Sequence, residues 1–577
     1  MANAIINVGQ TGGQVNISTA AAPATPAVGL VTLYAGTDKA LHALNSDGTD
    51  ITIAAAGAAS PITVEQTCSL VSTAIGATAN KCNSVSIGLS SYIGSRNSVA
   101  IGPNACVVIP TVGDSGASIA IGCGAKVAGE YGQGIAMGAN TTAFAYDSVA
   151  IGTSACTCNN GGIALGALTV AGQFESIAIG RCSQGLLISS TAIGALSCST
   201  KACATAIGNN TKACAELSTA IGTASTIFPG ATGTIVLGNS SVGGTGACNS
   251  VVIGNSLSTT SPKSVIIGGT TNIMSSTGVN NTIINGQTNC IVGTGCINSI
   301  NGGFGNIICG GNYNDITAGY QNKITSGDYN TISGGFGNCI QNSGSYSTIL
   351  SSYLGTIGAG NNMSVISSSA SFQGTNYNAA IIAASGSVYS NSRYGGIFGG
   401  NTQVVSDSWE AGIFMGNNNC IASTSTRSVI IGGNDNFISG KTNVVILGGS
   451  SITADANDTV YTPNLKVTGQ AASITNAIGS TGGSAAINWN NSNIQTLTLT
   501  SNITTLTKSN PIDGAVYTLF LTQGGTGGKT VSWGADVDWP SGTAPTLSTA
   551  AGAVDAVSLV YIAGVTGYYG NANLNFS

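Results

Sequence analysis

Charge is scarce in this sequence. Charged residues make up 6% of its 577 positions, against roughly 25% in ordinary globular proteins. The 15 basic and 20 acidic residues give a formal net charge of −5. No basic stripe is available to neutralise phosphates, which excludes nucleic acid and anionic membrane surfaces as partners. Histidine occurs once, at His42, and that rules out a Ser-His-Asp triad, a Cys-His dyad or a multi-His metal centre within one chain away from this position. Only three copies of His42 on a symmetry axis would build such a site, and a surface or hairpin histidine is the simpler reading. Long apolar runs are absent too. The mean hydropathy is +0.31, yet Gly, Ser, Thr or Asn interrupts every stretch before the roughly 18 residues a membrane helix needs, so no membrane insertion is expected. The start, Met1-Ala2-Asn3-Ala4, lacks a basic region followed by an apolar one, so export by a signal peptide is not expected.

Cysteine, by contrast, is plentiful, with 16 residues. Disulfide scaffolds belong to short secreted chains, and this chain is long. Cys106, Cys156 and Cys198 fall four residues after a recurring Gly, and Cys82, Cys158 and Cys214 six after. Recurrence at a fixed offset points to packing positions, with the thiols expected reduced, small and buried. A metal site at Cys156-Thr157-Cys158 or at Cys198 with Cys203 would want two spaced pairs or a nearby His. Neither occurs, and no cofactor or metal is expected; disulfides between turns or between chains remain an alternative.

Glycine supplies the dominant pattern. A small or β-branched residue followed by Ala, Ile and Gly recurs with Gly at 76, 88, 102, 122, 138, 152, 166, 180, 194, 208, 222, 238, 254 and 268. The step from 138 to 152, fourteen positions, repeats unchanged as far as 222. Such a short unit buries no apolar face alone, so neighbouring turns must stack into a solenoid. Period-2 alternation puts the Ile and the residue two before it on one face and the Ala on the other. At about 4.8 Å per rung, the 13 intervals give a rod of about 60 Å. Residues 302–341 hold five octads carrying Asn306 and Ile308, Asn314 and Ile316, Asn322 and Ile324, Asn330 and Ile332, and Asn338 and Ile340. Gly416, Gly432 and Gly448 recur at twice the octad spacing, which makes two octads, sixteen positions, one turn. The Ile column is the expected core, and the Asn column can form side-chain ladders.

Four segments follow. Residues 1–70 form an entry module, with an Ala/Pro/Thr linker at 20–28 and short antiparallel strands around 29–49. Asn45-x-Asp47-Gly48 hints at a calcium loop but lacks the bidentate Glu, so a hairpin turn is the better reading. Residues 71–270 and 271–470 are two solenoid shafts, and 471–577 a C-terminal β-sandwich. Turns this short enclose little apolar volume, which favours several chains side by side.

Asp147-Ser148-Val149-Ala150-Ile151-Gly152-Thr153-Ser154-Ala155 resembles the head repeats of trimeric autotransporter adhesins over about 200 residues. That resemblance implies parallel β-rolls in a three-chain bundle, hence a homotrimer. An autotransporter would also need an export signal, a charged coiled-coil stalk and a membrane β-barrel, and none is visible. Instead, Gly514 to Gln523, Gly527 to Trp533, Trp539 to Leu547 and Val554 to Leu559 resemble the C-terminal head domain of bacteriophage and other viral fibres. The stretch Leu33 to Thr49 resembles virion-protein N-termini. Together these imply an all-β, elongated, homotrimeric fibre, made in the host cytoplasm and carried on the virion. It would contact other virion proteins through its N-terminus and a host glycan or protein through its C-terminus. An exported bacterial adhesin is the alternative.

Recognition is therefore sought among aromatic residues, which supply contact area at low entropic cost. Trp533, Trp539, Tyr561, Tyr568 and Tyr569 are the candidate receptor-binding set, although Trp533 suits a core equally well. Trp539 precedes Pro540-Ser541-Gly542, a turn signature that brings it toward the surface. Tyr313, Tyr320 and Tyr329 could face outward and stack on glycans, or be buried between chains. Catalysis is not expected. A glycan hydrolase would need paired carboxylates, for which Asp315 with Asp328, or Asp536 with Asp538, are the candidates.

Overall fold

The computed structural model describes residues 76–577 except 82, 109–115, 130–132, 145, 342–343, 566 and 577, together with the backbone of strands Val31–Ala35, Leu41–Asn45, Asp50–Ala54 and Leu70–Ser72. The linker at 20–28, the turn at Asp47-Gly48, Cys82 and the side chain of His42 lie outside the described residues. Across the described residues the protein is all-β, with a single 3-10 turn at Pro540–Gly542 as its only helical element. The first three strands form an antiparallel meander. Contacts then divide the chain into two compact units, Met1–Pro463 and Asn464–Ser577.

The first unit is a parallel β-solenoid whose strands, from Leu70–Ser72 to Val460–Tyr461, form one 48-stranded sheet. Each turn contributes two short strands, and each strand pairs with its equivalent one turn on. In the narrow turns Val149 pairs with Ile163 and Cys156 with Val170. In the wide turns Ser299 pairs with Asp315 and Ile307 with Lys323. The widening is not a single switch: the step from Thr219 to Ile235 is already wide, that from Val251 to Val265 is narrow again, and that from Val265 to Thr282 is wider still.

The ladder glycine is a backbone requirement. Gly138 has φ 134°, and a Cβ there would sit 2.7 Å from the carbonyl oxygen of Gly152 on the next turn. Stacking of this corner therefore excludes any side chain. The buried hydroxyls beside the corner are satisfied locally: Thr169 and Ser197 donate to the carbonyls of Gly166 and Gly194 at 2.9 Å.

Alternation decides what the solenoid buries. On the strand carrying the Ile-Gly phrase the Ala points inward, and Ala136, Ala150, Ala164, Ala178, Ala192 and Ala206 are fully buried. The residues on either side of it face out. The same inner column then reads Val236, Val252, Ile266, Ile283, Ile300, Ile316 and Ile332, so the core residue grows as the turn widens. Buried Asn residues flank the wide turns, but not as stacked amides. Each Oδ1 accepts the backbone N–H of the next Asn, at 2.9 Å from Asn289 to Asn272 and from Asn306 to Asn289. The Nδ2 donates to glycine carbonyls at the corner. A second series on the other corner runs Asn281, Asn298, Asn314 and Asn330. Amide-to-amide ladders do form, but on the surface, as in Asn401, Asn417 and Asn434 at 3.2 and 2.9 Å.

The cysteines differ from expectation. None of the 14 described cysteines is buried, and all are free thiols. Cys106, Cys156, Cys198, Cys290, Cys339 and Cys420 occupy the outward position that opens the second strand of each turn, so their constant offset marks a surface column and not a core site. Pairing between adjacent turns within that column is excluded by register: Cys156 stacks on Thr142 and Val170, and Cys290 on Ile273 and Ile307. Partial burial still raises all six thiol pKa values. Cys156 is pushed up to about 12, helped by the Cys158 thiol 3.3 Å away.

In the second unit one six-stranded sheet curls around its own core, which is the form the expected sandwich takes. Thr475–Asn488, Ile494–Ser509 and Val516–Gln523 run parallel; Val554–Ile562 and Gly567–Phe576 continue antiparallel, and Val537–Asp538 closes the edge beside Gly567–Phe576. Ile487, Leu497, Leu499, Leu519, Leu521, Val557 and Leu559 fill the interior.

Candidate recognition surfaces

The C-terminal aromatic set separates by depth. Trp533 and Tyr568 are buried in the core of the second unit, beside Trp489 and Tyr517. Trp489 stacks on Tyr517 at 4.1 Å and donates its indole N–H to the Tyr568 hydroxyl at 3.0 Å. Burial pushes the Tyr568 phenol up to about 12. Tyr561 is half-buried against Tyr568, whereas Tyr569 is exposed. Trp539 meets Trp533 edge-on at 5.1 Å, and its ring covers Gly570 so closely that a Cβ there would lie 2.6 Å from Cζ3. The fully buried Lys508 ammonium ties this corner together: it donates to the Trp533 carbonyl at 2.9 Å, pairs with Asp536 at 3.1 Å and lies 5.6 Å from the centre of the Tyr568 ring. The surface of the set is thus Tyr569 with the exposed part of Trp539.

The solenoid carries a second aromatic surface, most of which sequence reasoning missed. Phe304, Tyr320, Phe336 and Tyr353 occupy one corner column and stack at 5.1, 5.1 and 5.3 Å. Tyr313, Tyr329 and Tyr346 occupy the opposite corner and stack at 4.7 and 4.9 Å. All seven rings are exposed. Tyr320 therefore belongs to a different edge from Tyr313 and Tyr329. Farther along, Arg393 lies between the rings of Tyr377 and Trp409, 4.8 and 5.4 Å from their centres. The signal was present: Tyr377, Arg393 and Trp409 stand in the sequence at the spacing of one wide turn, as do Phe304, Tyr320 and Phe336.

The outward face of the Ile-Gly strands is a third surface. Its column runs Ile101, Ile121, Met137, Ile151, Leu165, Ile179, Ile193, Ile207, Ile221, Leu237, Ile253, Ile267 and Ile284 through successive register pairs. It turns polar at Asn301, Thr317 and Ser333, then apolar again from Leu350 through Phe398, Phe414, Ile431 and Leu447. Ile151 and Ile284 are each 38% exposed. The opposite outward face is mixed, with Lys126, Gln184, Lys212 and Lys323 among its cysteines.

The paired-carboxylate candidates are engaged structurally. Asp315 accepts from the hydroxyls of Ser299 and Thr317, and Asp328 from the backbone and side-chain N–H of Asn312 at 2.6 and 3.2 Å. Asp315 opens a strand while Asp328 lies in a corner, so they do not share a groove. Asp536 is held by Lys508, and Asp538 sits in the edge strand. Among the described residues no group of His, Cys, Asp or Glu is arranged to hold a metal, and no helix is long and apolar enough to cross a membrane.

No curated protein matches the chain. A family described as "Putative phage tail fibre C-terminal domain" matches residues 480–566, which lie within the curled sheet and include Trp489, Tyr517, Trp533, Trp539 and Tyr561. A parallel solenoid joined to a domain of that family supports a phage fibre protein, a structural component of the virion.

Proposed function

We propose that the chain is the subunit of a homotrimeric fibre, mounted on the particle through residues 1–70 and contacting the host surface, through a glycan, with residues 471–577. Assembly takes place in the host cytoplasm, and the role is structural and not enzymatic. The observation that carries the reading is the outward apolar column. A face of Ile, Leu and Met repeated over thirteen turns exceeds what a lone chain leaves in water, while the opposite face is interrupted by Lys and Gln. Removing the remaining exposed surface of each Ile from water contributes on the order of 1 to 2 kcal/mol. Summed along the column, this favours lateral packing of copies on that face. The number three comes from the likeness to trimeric adhesin repeats. Other virion proteins are the partners at the N-terminal end.

Native mass and sedimentation of the full chain test assembly. The wild type is expected as a trimer, and Ile179→Lys with Ile207→Lys as a monomer or aggregate, while Gln184→Lys on the other face stays trimeric. A monomeric wild type, or a trimeric double variant, overturns the arrangement. For attachment, the full chain is expected to decorate host cells, and Tyr569→Ala with Trp539→Ala to reduce that binding at least tenfold without changing the native mass. Undiminished binding by this variant would take recognition away from the C-terminal unit.

A further inference from the structure

The corner column bearing the Phe304 ladder does not simply stop. In register order it reads Thr270, Gln287, Phe304, Tyr320, Phe336 and Tyr353, then Ser369, Ser385, Asn401, Asn417, Asn434 and Ser450. Between the halves one turn is shorter. Leu350 pairs with Ile366, and Thr356 with Ser371. The corner between Leu350 and Thr356 therefore holds residues 351–355, whereas that between Ile366 and Ser371 holds only 367–370. The following corner, between Ile382 and Val388, regains its length with 383–387. The deletion is confined to this one turn and falls after Ser369, which takes the column position in register with Ser385, so a small hydroxyl side chain stands where a ring would have extended the stack.

The consequence is an open hollow of about 370 Å³ at the end of the ladder, lined by Tyr353, Ser351, Ser367, Ser369 and Ser385, with Ala383 and Ala384 among its walls. This volume falls within the roughly 300–1,000 Å³ of small-ligand sites. Phe336 covers one face of the Tyr353 ring, 5.3 Å away and 15° from parallel; the ladder contributes no ring to the other. Ser369 and Ser385 lie with their hydroxyls 3.2 Å apart. Beyond Ser385 the amides of Asn401, Asn417 and Asn434 form their surface ladder. No residue of the corner column from Thr270 to Ser450 is charged.

We propose that this hollow is a saccharide subsite, in which a neutral hexose or N-acetylhexosamine ring stacks on the free face of Tyr353 and continues the aromatic ladder by one step. A pyranose ring has a flat C–H face that suits an aromatic surface, and a rim of hydroxyls that suits serine. A planar aliphatic or aromatic ligand would leave those serines unmatched. A charged one would find no counter-ion in the lining. The adjoining Asn ladder offers paired donors and acceptors to the next units of the chain, so the occupant is an uncharged oligosaccharide lying along the solenoid edge. The subsite is built entirely from residues of the first unit and supplies a second contact to the host glycan proposed above; it stands whether or not the C-terminal unit binds.

The full-length assembly, immobilised, is tested against soluble mannan, dextran, galactan and chitin oligomers, with sulfated dextran and polysialic acid as charged comparators. Binding of at least one neutral probe is expected. Tyr353→Ala is expected to weaken it at least tenfold and Ser385→Tyr, which fills the hollow, to abolish it, with native mass and circular dichroism unchanged. Tyr313→Ala, on the opposite corner, leaves it intact, as does Tyr569→Ala with Trp539→Ala. Binding lost in the C-terminal double variant but kept in Tyr353→Ala and Ser385→Tyr overturns the subsite while sparing C-terminal recognition. Binding confined to the charged probes overturns it as well. Disassembly of both hollow variants would show that a second copy of the chain occupies the hollow, and would equally overturn it.

Discussion

Replacing Asn314 by Ala should open the solenoid locally, by an amount that follows from its contacts. Asn314 is 1% exposed. Its Oδ1 accepts the backbone N–H of Asn330 at 3.0 Å, and its Nδ2 donates to the carbonyls of Gly310 and Gly327 at 3.0 and 2.8 Å. Alanine removes all three bonds, at about 0.5–1.5 kcal/mol each, and orphans the Asn330 N–H at about 1–3 kcal/mol, giving roughly 2.5–7.5 kcal/mol per chain. Stability along a solenoid is a sum of neighbouring-turn terms. The loss should therefore appear as faster hydrogen exchange around residues 298–331, by about two orders of magnitude or more at about 1.4 kcal/mol per tenfold, and not as a uniform change along the chain. Asn314→Asp separates the two halves of the effect. It keeps the acceptor for Asn330 but sets its second oxygen against two carbonyls, which with burial raises the folded carboxyl pKa above the unfolded value of about 4. Its stability deficit is then smallest below the unfolded pKa, where the carboxyl is protonated and can donate, and grows as pH rises toward the folded value. Protection of Asn330 within tenfold of wild type in Asn314→Ala, or a pH-independent deficit in Asn314→Asp, would refute the backbone-ladder reading.

Gly138→Ala should cost about 1–3 kcal/mol from backbone strain alone, and more from displacing the Gly152 carbonyl; a melting profile indistinguishable from wild type would show that the corner can relax. Gly570→Ala should expel the Trp539 ring and shift tryptophan emission to the red while Trp489 and Trp533 hold the core, and unchanged emission would contradict the close approach. Spectrophotometric titration should find the Tyr568 phenol still protonated at pH 11. Because its folded pKa is raised, the stability it contributes is complete below the unfolded value of about 10 and lost between there and about 12, so Tyr568→Phe should flatten the alkaline arm of the unfolding curve, and an unaltered arm would disprove the linkage.

What could be read from the sequence follows a physical division. The Ile-Gly phrase is legible because its glycine answers to the backbone alone: a left-handed φ, 134° at Gly138, and a carbonyl where Cβ would stand. The octad is legible because Ile316, Ile324 and Ile332 alternate with polar neighbours across a core two residues deep. Fixed offset alone, however, marks a column and not its direction, which is why the cysteines looked like core residues and lie on the surface. The Asn column was visible as a column, but its partner is the backbone of the next turn, which spacing does not reveal. The edges taken by Tyr313 and Tyr320 depend on which half of the turn each octad forms. Burial of Trp533 and Tyr568 depends on a sheet curling on itself, and no local pattern encodes that.

The two halves of the solenoid reach stability by different means, and this bears on the lateral packing proposed for the chain. A narrow turn buries one Ala on the Ile-Gly strand and a second small residue such as Thr157, Ala171 or Ser199 opposite. Burying Ala contributes about one methyl group, or about 0.8 kcal/mol. The larger Ile side chains lie outside, where they stabilise the fold only once something covers them. A wide turn inverts this, since Ile300 and Ile308, or Ile316 and Ile324, are fully buried, at about 1.5–3 kcal/mol each. Both buried Asn series then bind one turn to the next. The outward column becomes polar at Asn301, Thr317 and Ser333, within the stretch where both Asn series run together. Turns that carry their own apolar core can leave that face wet; turns that carry only Ala cannot. The stretch from Met137 to Ile207, whose turns bury only Ala and other small residues, is therefore where the proposed packing of copies adds most to folding, and the octads are where the proposed ligand surface depends least on it.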